Sequence, residues 1–157
     1  MNLARAIHLD ESDTLVFHRA ARTGEWLISG GFEFSNWDQG DLTGKARQAF
    51  TNGWLGLESF GRATFAAVTR IEPGEMDTLA DNLAQHFVTV YGAPDLDAAR
   101  VVALDELRHM ADMCDGQSPN TLLTVARELT DAGVNEAFRI IAGREANLIQ
   151  IAGDGCN

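Results

Sequence analysis

The residues best equipped for chemistry lie in one short region. The run "FTNGWLGLESFGRATF", residues 50–65, packs four aromatics and three glycines into sixteen residues, with Glu58 and Arg62 among them and Lys45 and Arg47 just upstream. Glycines let a ligand approach the backbone, aromatic rings supply flat apolar walls, and cations orient an anionic group. Lys45, Arg47, Trp54, Glu58, Phe60 and Arg62 are therefore the candidate ligand-binding residues. A purely structural reading stands beside this one. Gly53 and Gly56 would let a helix end and the chain turn back, Trp54, Leu57 and Phe60 would plug the gap between helix and sheet, and Glu58 would pair with Arg62 or Lys45.

Motifs for covalent or redox chemistry fail on spacing. "GDLTGKA" (40–46) has three residues between its glycines where a phosphate loop has four, and Ala46 replaces the metal-binding Ser/Thr. "LESFG" (57–61) has the length of a nucleophile elbow, but Leu57 stands where glycine must permit the strained turn. Gly53, Gly56 and Gly61 do not match the dinucleotide-binding fingerprint. Glu106 and His109 form one E-x-x-H pair, whereas a di-iron bundle needs two such pairs and two further carboxylates. At about 100° per residue His109 also falls away from its helix's apolar stripe. His8 and His18 sit on neighbouring expected strands and could face each other, but without a nearby carboxylate or cysteine they make a poor metal site. His86 flanks its helix's stripe as a boundary residue, and Cys114 lies on the stripe as a small core residue. The sequence thus offers no catalytic residue, no metal site and no cofactor site.

Charge narrows the classes of partner. The 157 residues carry a formal net charge of −11. Residues 1–70 contribute −1 and residues 71–157 contribute −10. Such a surface repels phosphate backbones and anionic lipid, so nucleic acid and membranes are poor partners. The acidic half reads as a solvated helical face or as a docking face for a basic protein. No stretch approaches the about 20 apolar residues of a membrane span, and the N-terminus lacks the apolar run of a signal peptide. Cys114 and Cys156 form no C-x-x-C motif and read as free thiols, which points to the cytoplasm.

These residues must be positioned by a single α+β domain, 1–157: a mainly antiparallel sheet with about four helices on one face. The expected strands are an N-terminal meander of "LARAIHL" (3–9), "TLVFHRA" (14–20) and "EWLISGGFEF" (25–34), then a central strand "ATFAAVTRI" (63–71). A C-terminal hairpin pairs "EAFRIIA" with "NLIQIAG", although the last run fits a helix as well. One helix starts at Asp41 or Thr43 and reaches residues 50–54. Another begins at Pro73 and stops at Gly92, with Met76, Leu79, Leu83, Phe87 and Val90 inward. A third covers 95–115, with Leu96, Ala99, Ala103, Leu107, Met110 and Cys114 inward. A fourth runs from Ser118, as N-cap before Pro119, to Gly133, with Leu122, Val125, Ala126 and Leu129 inward.

The block "LTGKARQAFTNGWLGLESFGRATF" (42–65), with "SDTLVFHRA" and "GEW" before it, resembles the signature of a family of small bacterial proteins of unknown function. The resemblance covers most of the chain. It implies a cytoplasmic bacterial protein of this length and adds no activity. Three functional readings follow, the last a metal ion shared by Glu106 and His109, for which the rest of a ligand set is lacking. The first is a non-catalytic accessory or interaction domain, self-associating through a strand edge or apolar face. The second is a binder of a small anionic molecule, or a small enzyme, using residues 45–62.

Overall fold

The computed structural model describes residues 1–9 and 11–141. The chain forms β1 (Asn2–Ile7), α1 (Ser12–Val16), β2 (Trp26–Ile28), α2 (Gly44–Asn52), β3 (Trp54–Gly56), β4 (Arg62–Ala63) and β5 (Phe65–Arg70). Two long helices follow, α3 (Pro73–Tyr91) and α4 (Leu96–Cys114), then β6 (Leu122–Thr130) and β7 (Gly133–Ile141). The seven strands make one antiparallel sheet in the order β4-β3-β2-β1-β5-β6-β7. The fold is α+β, as expected.

Alternation along the strands divides the sheet into two faces. Leu3, Ala66, Leu123 and Val125 join Leu83, Ala103, Leu107 and Met110 of α3 and α4 in the main core. The neighbouring positions Ala67 and Leu122 go with Ile141 into a small second cluster. The α3 and α4 boundaries follow from their end signals. Glu72 and Glu75 close a capping box around Pro73, and Gly92 ends α3 with φ +70. Asp95 caps α4 by accepting from the Ala98 N–H at 2.7 Å. Their stripes are buried, with Met76 partly so, except at the shared corner, where Val90 is 61% and Leu96 50% exposed.

The N-terminal meander exists, but it is built from β1 to β4 rather than from the first 35 residues. The expected strand 14–20 is replaced by α1 and a non-strand segment whose one β-bridge to the sheet, among the described residues, is the parallel Ala20↔Arg62. Asp13 causes this: its carboxylate accepts from the Thr64 Oγ1 at 2.6 Å and the Thr64 N–H at 3.2 Å, fastening residues 12–16 to the β4–β5 corner. The third expected strand ends at Ile28, and residues 31–34 wind into a 3₁₀ turn.

The expected helix from Ser118 to Gly133 is instead a turn, strand β6 and the start of the hairpin to β7. Pro119 occupies the second position of a tight turn and Asn120 the third, with φ +70. Thr121 donates back to the Ser118 carbonyl at 3.1 Å. Pro followed by a left-handed Asn fits a type II turn and not a helix start. β6 then pairs with β7 over nine registered positions from Leu122↔Ile141 to Thr130↔Gly133, so it is β6 that forms the hairpin with "EAFRIIA". The run "NLIQIAG" lies outside the described residues.

The Cys114 thiol is fully buried, and burial pushes its pKa up to about 12. In a Cys156→Ser variant at pH 8, a disulfide reagent should find no reactive thiol in the native protein and one equivalent in guanidinium. Fast native reaction would contradict this packing of α4.

Candidate functional site

The interior end of α2 is where the site is built. A helix terminus leaves carbonyls without intrahelical partners. Here they meet two buried arginines. Arg127, from β6, donates through Nη1 to the carbonyls of Phe50 and Gly53, both at 2.9 Å. Arg62, from β4, donates through Nη1 to the Gly53 carbonyl at 3.0 Å and through Nη2 to the Gly30 carbonyl at 3.1 Å. Both also donate to the Ser29 carbonyl. The two cations flank the Phe34 ring, with guanidinium carbons 4.6 and 5.3 Å from its centroid.

Each arginine has its own carboxylate. Glu33 pairs with Arg62 and also accepts from the Tyr91 hydroxyl. Glu136, from β7, accepts from Arg127 Nε at 2.8 Å and Ser29 Oγ at 2.6 Å. Burial lowers the Arg62 pKa to about 10, with Glu33 opposing and Arg127 adding to the fall. Burial alone would raise Glu136, but the Ser29 hydrogen bond and the Arg127 charge carry it below the ordinary carboxylate value. Burial raises the Tyr91 hydroxyl, assisted by its bond to Glu33.

Beside Arg62 a cavity of about 210 Å³ opens. Phe17, Phe34, Trp37 and Phe60 wall it, Ala46 and Ala49 of α2 form one side, and His18, Arg19, Lys45, Glu33 and Arg62 supply its polar groups. Glu33 balances Arg62, so the excess positive charge comes from Lys45 and Arg19, neither of which is ion-paired among the described residues. Arg19 donates to the Ser59 carbonyl at 3.1 Å, which leaves its charge unbalanced. Backbone hydrogen bonds Arg62 N–H to Arg19 carbonyl and Ala21 N–H to Arg62 carbonyl, both 2.8 Å, fix His18 and Arg19 beside β4.

Phe60 holds one wall in an unusual way. Its φ is +56, left-handed and rare for an aromatic residue. Its ring stacks on His86 with centroids 3.7 Å apart and planes 3° from parallel. His86 Nε2 is buried with no hydrogen-bond partner among the described residues. Burial lowers its pKa, and Glu33 opposes this only in part.

The sequence candidates divide. Lys45, Phe60 and Arg62 line the cavity, and Arg47 is exposed on α2 outside it. Trp54 is a core residue with no exposed surface, donating from Nε1 to the Leu123 carbonyl at 3.2 Å. Glu58 pairs on the surface with Arg22 at 2.9 Å, not with Arg62 or Lys45. Leu57 is buried, as the structural reading expected. His8 and His18 do not face each other: the His8 ring lies 2.9 Å from the Ala21 carbonyl, and His18 lines the cavity. The sequence missed His18, Arg19 and Glu33, which come from segments read as strands, and no local signal marks them.

The glycine-rich loop does cradle an anion, and the anion is the chain's own Glu25. One carboxylate oxygen accepts from the N–H groups of Glu58 (2.8 Å) and Ser59, and the other from the Arg22 N–H at 2.8 Å. Ser59 Oγ donates to both at 2.9 Å. A Cβ on Gly56 would sit 2.3 Å from Glu25 Oε1, and one on Gly61 would sit 2.6 Å from the Ala20 backbone, so both positions need glycine.

Glu106 and His109 gain a third neighbour, Glu136, whose Oε1 is 3.4 Å from His109 Nε2. Arg127 and Ser29 already engage Glu136, and no group of His, Cys, Asp or Glu among the described residues could hold a metal ion. Burial raises the Glu106 pKa, His109 opposes it and Glu136 adds to it.

The chain is thus an α+β domain carrying an aromatic and cationic pocket above buried ion pairs. It belongs to the family of unknown function DUF6505, whose model matches residues 1–156. No curated protein and no solved structure matches it. No described helix is long and apolar enough to cross a membrane.

Glu25→Ala should lower unfolding stability in urea by about 3 kcal/mol, because buried N–H donors lose a charged acceptor. Glu136→Gln should cost about 3 kcal/mol by leaving Arg127 unpaired. The folded Glu136 pKa is depressed, so its stabilisation is present above the unfolded value of about 4.3 and is lost as pH falls through the folded value. The variant should therefore show a flatter acid limb in a urea–pH series. Wild-type stability in either variant would refute these assignments.

Proposed function

We propose that the protein binds a small anionic molecule with a flat apolar body in the cavity over Arg62. The supporting observation is the convergence of unpaired Lys45 and Arg19 with four aromatic rings in a chain of net charge −11. An anion is attracted here and repelled by the acidic half. A volume of about 210 Å³ lies below the roughly 300 Å³ at which drug-sized pockets begin, which suits a single ring bearing one carboxylate. Lys45 would meet the carboxylate, Phe60 and Trp37 would sandwich the ring, and Arg62 with Glu33 would form a fixed floor. The absence of a nucleophile–base pair in the pocket favours binding over catalysis.

Lys45 is the chain's only lysine, which makes it its own reporter. Benzoate should slow amine-reagent labelling of Lys45 and shift the amides of Ala46, Ala49 and Phe60, while benzyltrimethylammonium, a cation with no reactive amine, should do neither. Lys45→Ala should weaken benzoate about tenfold, or 1.4 kcal/mol. Equal binding of benzoate and benzyltrimethylammonium, or shifts confined to another surface, would end this reading.

A second reading, self-association in the cytoplasm as an accessory domain, has one favourable observation. Among the described residues β7 is an edge strand of the sheet, nine residues long, with Phe138 and Ile140 exposed. Sedimentation equilibrium should then give a mass above 17.0 kDa that falls to the monomer in Phe138→Lys.

A further inference from the structure

The corner where α3 turns into α4 is built differently from the pocket. A groove of about 280 Å³ runs between the two helix ends, lined by Phe32, Phe87, Tyr91, Pro94 and Val102. At its two helix ends Val90 (61% exposed) and Leu96 (50%) continue the inward stripes of α3 and α4, yet no described part of the chain covers them. An apolar groove with uncovered aliphatics at its ends marks an interaction site more often than scattered exposure does.

The surrounding charge is of one sign. Between Glu72 and Asp115 there are ten acidic residues and two arginines. Both arginines are already engaged, Arg100 by Asp81 at 2.6 Å and Asp77 at 3.3 Å, and Arg108 by Asp105 at 3.2 Å. Asp95 and Asp97 flank Leu96 at the mouth of the groove and have no ion pair among the described residues.

We infer that this groove docks a basic amphipathic helix of another protein, with an apolar side chain of the partner seated between Phe87 and Val102 and its Lys or Arg residues facing Asp95 and Asp97. A helix laid in a groove presents apolar anchors at i, i+3, i+4 and i+7, and the groove between the α3 and α4 ends is lined by apolar side chains that can receive them. The acidic rim selects the charge of the partner and speeds its approach. A second copy fits poorly, because a two-fold interface here brings the rim carboxylates of both copies together. Anionic membrane is repelled for the same reason.

The probe is a labelled 18-residue peptide with Leu on one helical face and Lys on the other, beside a twin with Glu at every Lys position. Fluorescence anisotropy should show saturable binding of the Lys peptide, at least tenfold weaker in 0.5 M than in 0.05 M NaCl, and none of the Glu peptide. Val102→Asp is the diagnostic variant. It adds negative charge, which would strengthen unspecific attraction, yet it should weaken binding at least tenfold by spoiling the groove. Val102 is half exposed, so circular dichroism and Tm should stay at wild-type values. Lys45→Ala should bind the peptide normally, which separates this surface from the anion pocket. The inference is overturned by equal binding of the two peptides, by no binding of the Lys peptide, by unchanged affinity in Val102→Asp, or by a dimer that Val102→Asp dissociates.

Discussion

Two guanidinium groups with almost no access to water share the Ser29 and Gly53 carbonyls. Helix α2 ends inside the protein, where water cannot satisfy its last carbonyls, and β2 ends beside it at the same depth. Arg62 and Arg127 join the two ends. Burying two like charges together is costly, and Coulomb repulsion between them lowers Arg62 further. The arrangement holds because each arginine has a carboxylate of its own, Glu33 from the 3₁₀ turn and Glu136 from the edge hairpin. Elements far apart in sequence, from residue 29 to residue 136, are thereby fixed in one hydrogen-bonded knot. The position of the pocket follows, since its floor is the outer side of that knot.

What sequence reading recovers depends on how local the cause is. α3 and α4 are legible because their ends carry local chemistry: Pro73 within a capping box, Gly92 as a left-handed stop, and Asp95 as an N-cap. Residues 118–130 mislead because Ser-Pro is also how a turn begins. The deciding residue is Asn120, which takes a positive φ that no helix start requires. After it, the apolar positions of "LLTVARELT" fit either period, and the long hairpin with β7 settles the choice. Residues 14–20 carry the β-branched and aromatic content of a strand, yet Asp13 reaches across 51 residues to Thr64 and holds the start of that segment in another shape. Nothing within the segment announces such a partner.

The candidate site shows the same division. Lys45, Phe60 and Arg62 belong together because the chain passes the pocket twice in eighteen residues, which the local pattern of cations and aromatics captures. Trp54 has the same composition signal but falls on β3, where it faces the core. His18, Arg19 and Glu33 enter only through the bridge at Ala20 and the turn after β2. Arg127, one of the buried charges, lies in a stretch read as a helix, so its position at the end of α2 is out of reach of periodicity.

The Glu25 carboxylate inside the loop has an evolutionary consequence. Backbone N–H groups converging in a glycine-rich turn form a receptor for a negative group, and in this chain the receptor is permanently occupied from within. Gly56 and Glu25 then behave as a single inherited character: a side chain at position 56 would collide with the ion, and loss of the ion would remove its closest obstacle, leaving the Ala21 side chain at 3.1 Å. Lineages of this family should keep both residues or exchange both, and any branch that discards Glu25 while retaining the glycines would carry an open anion receptor on the same scaffold.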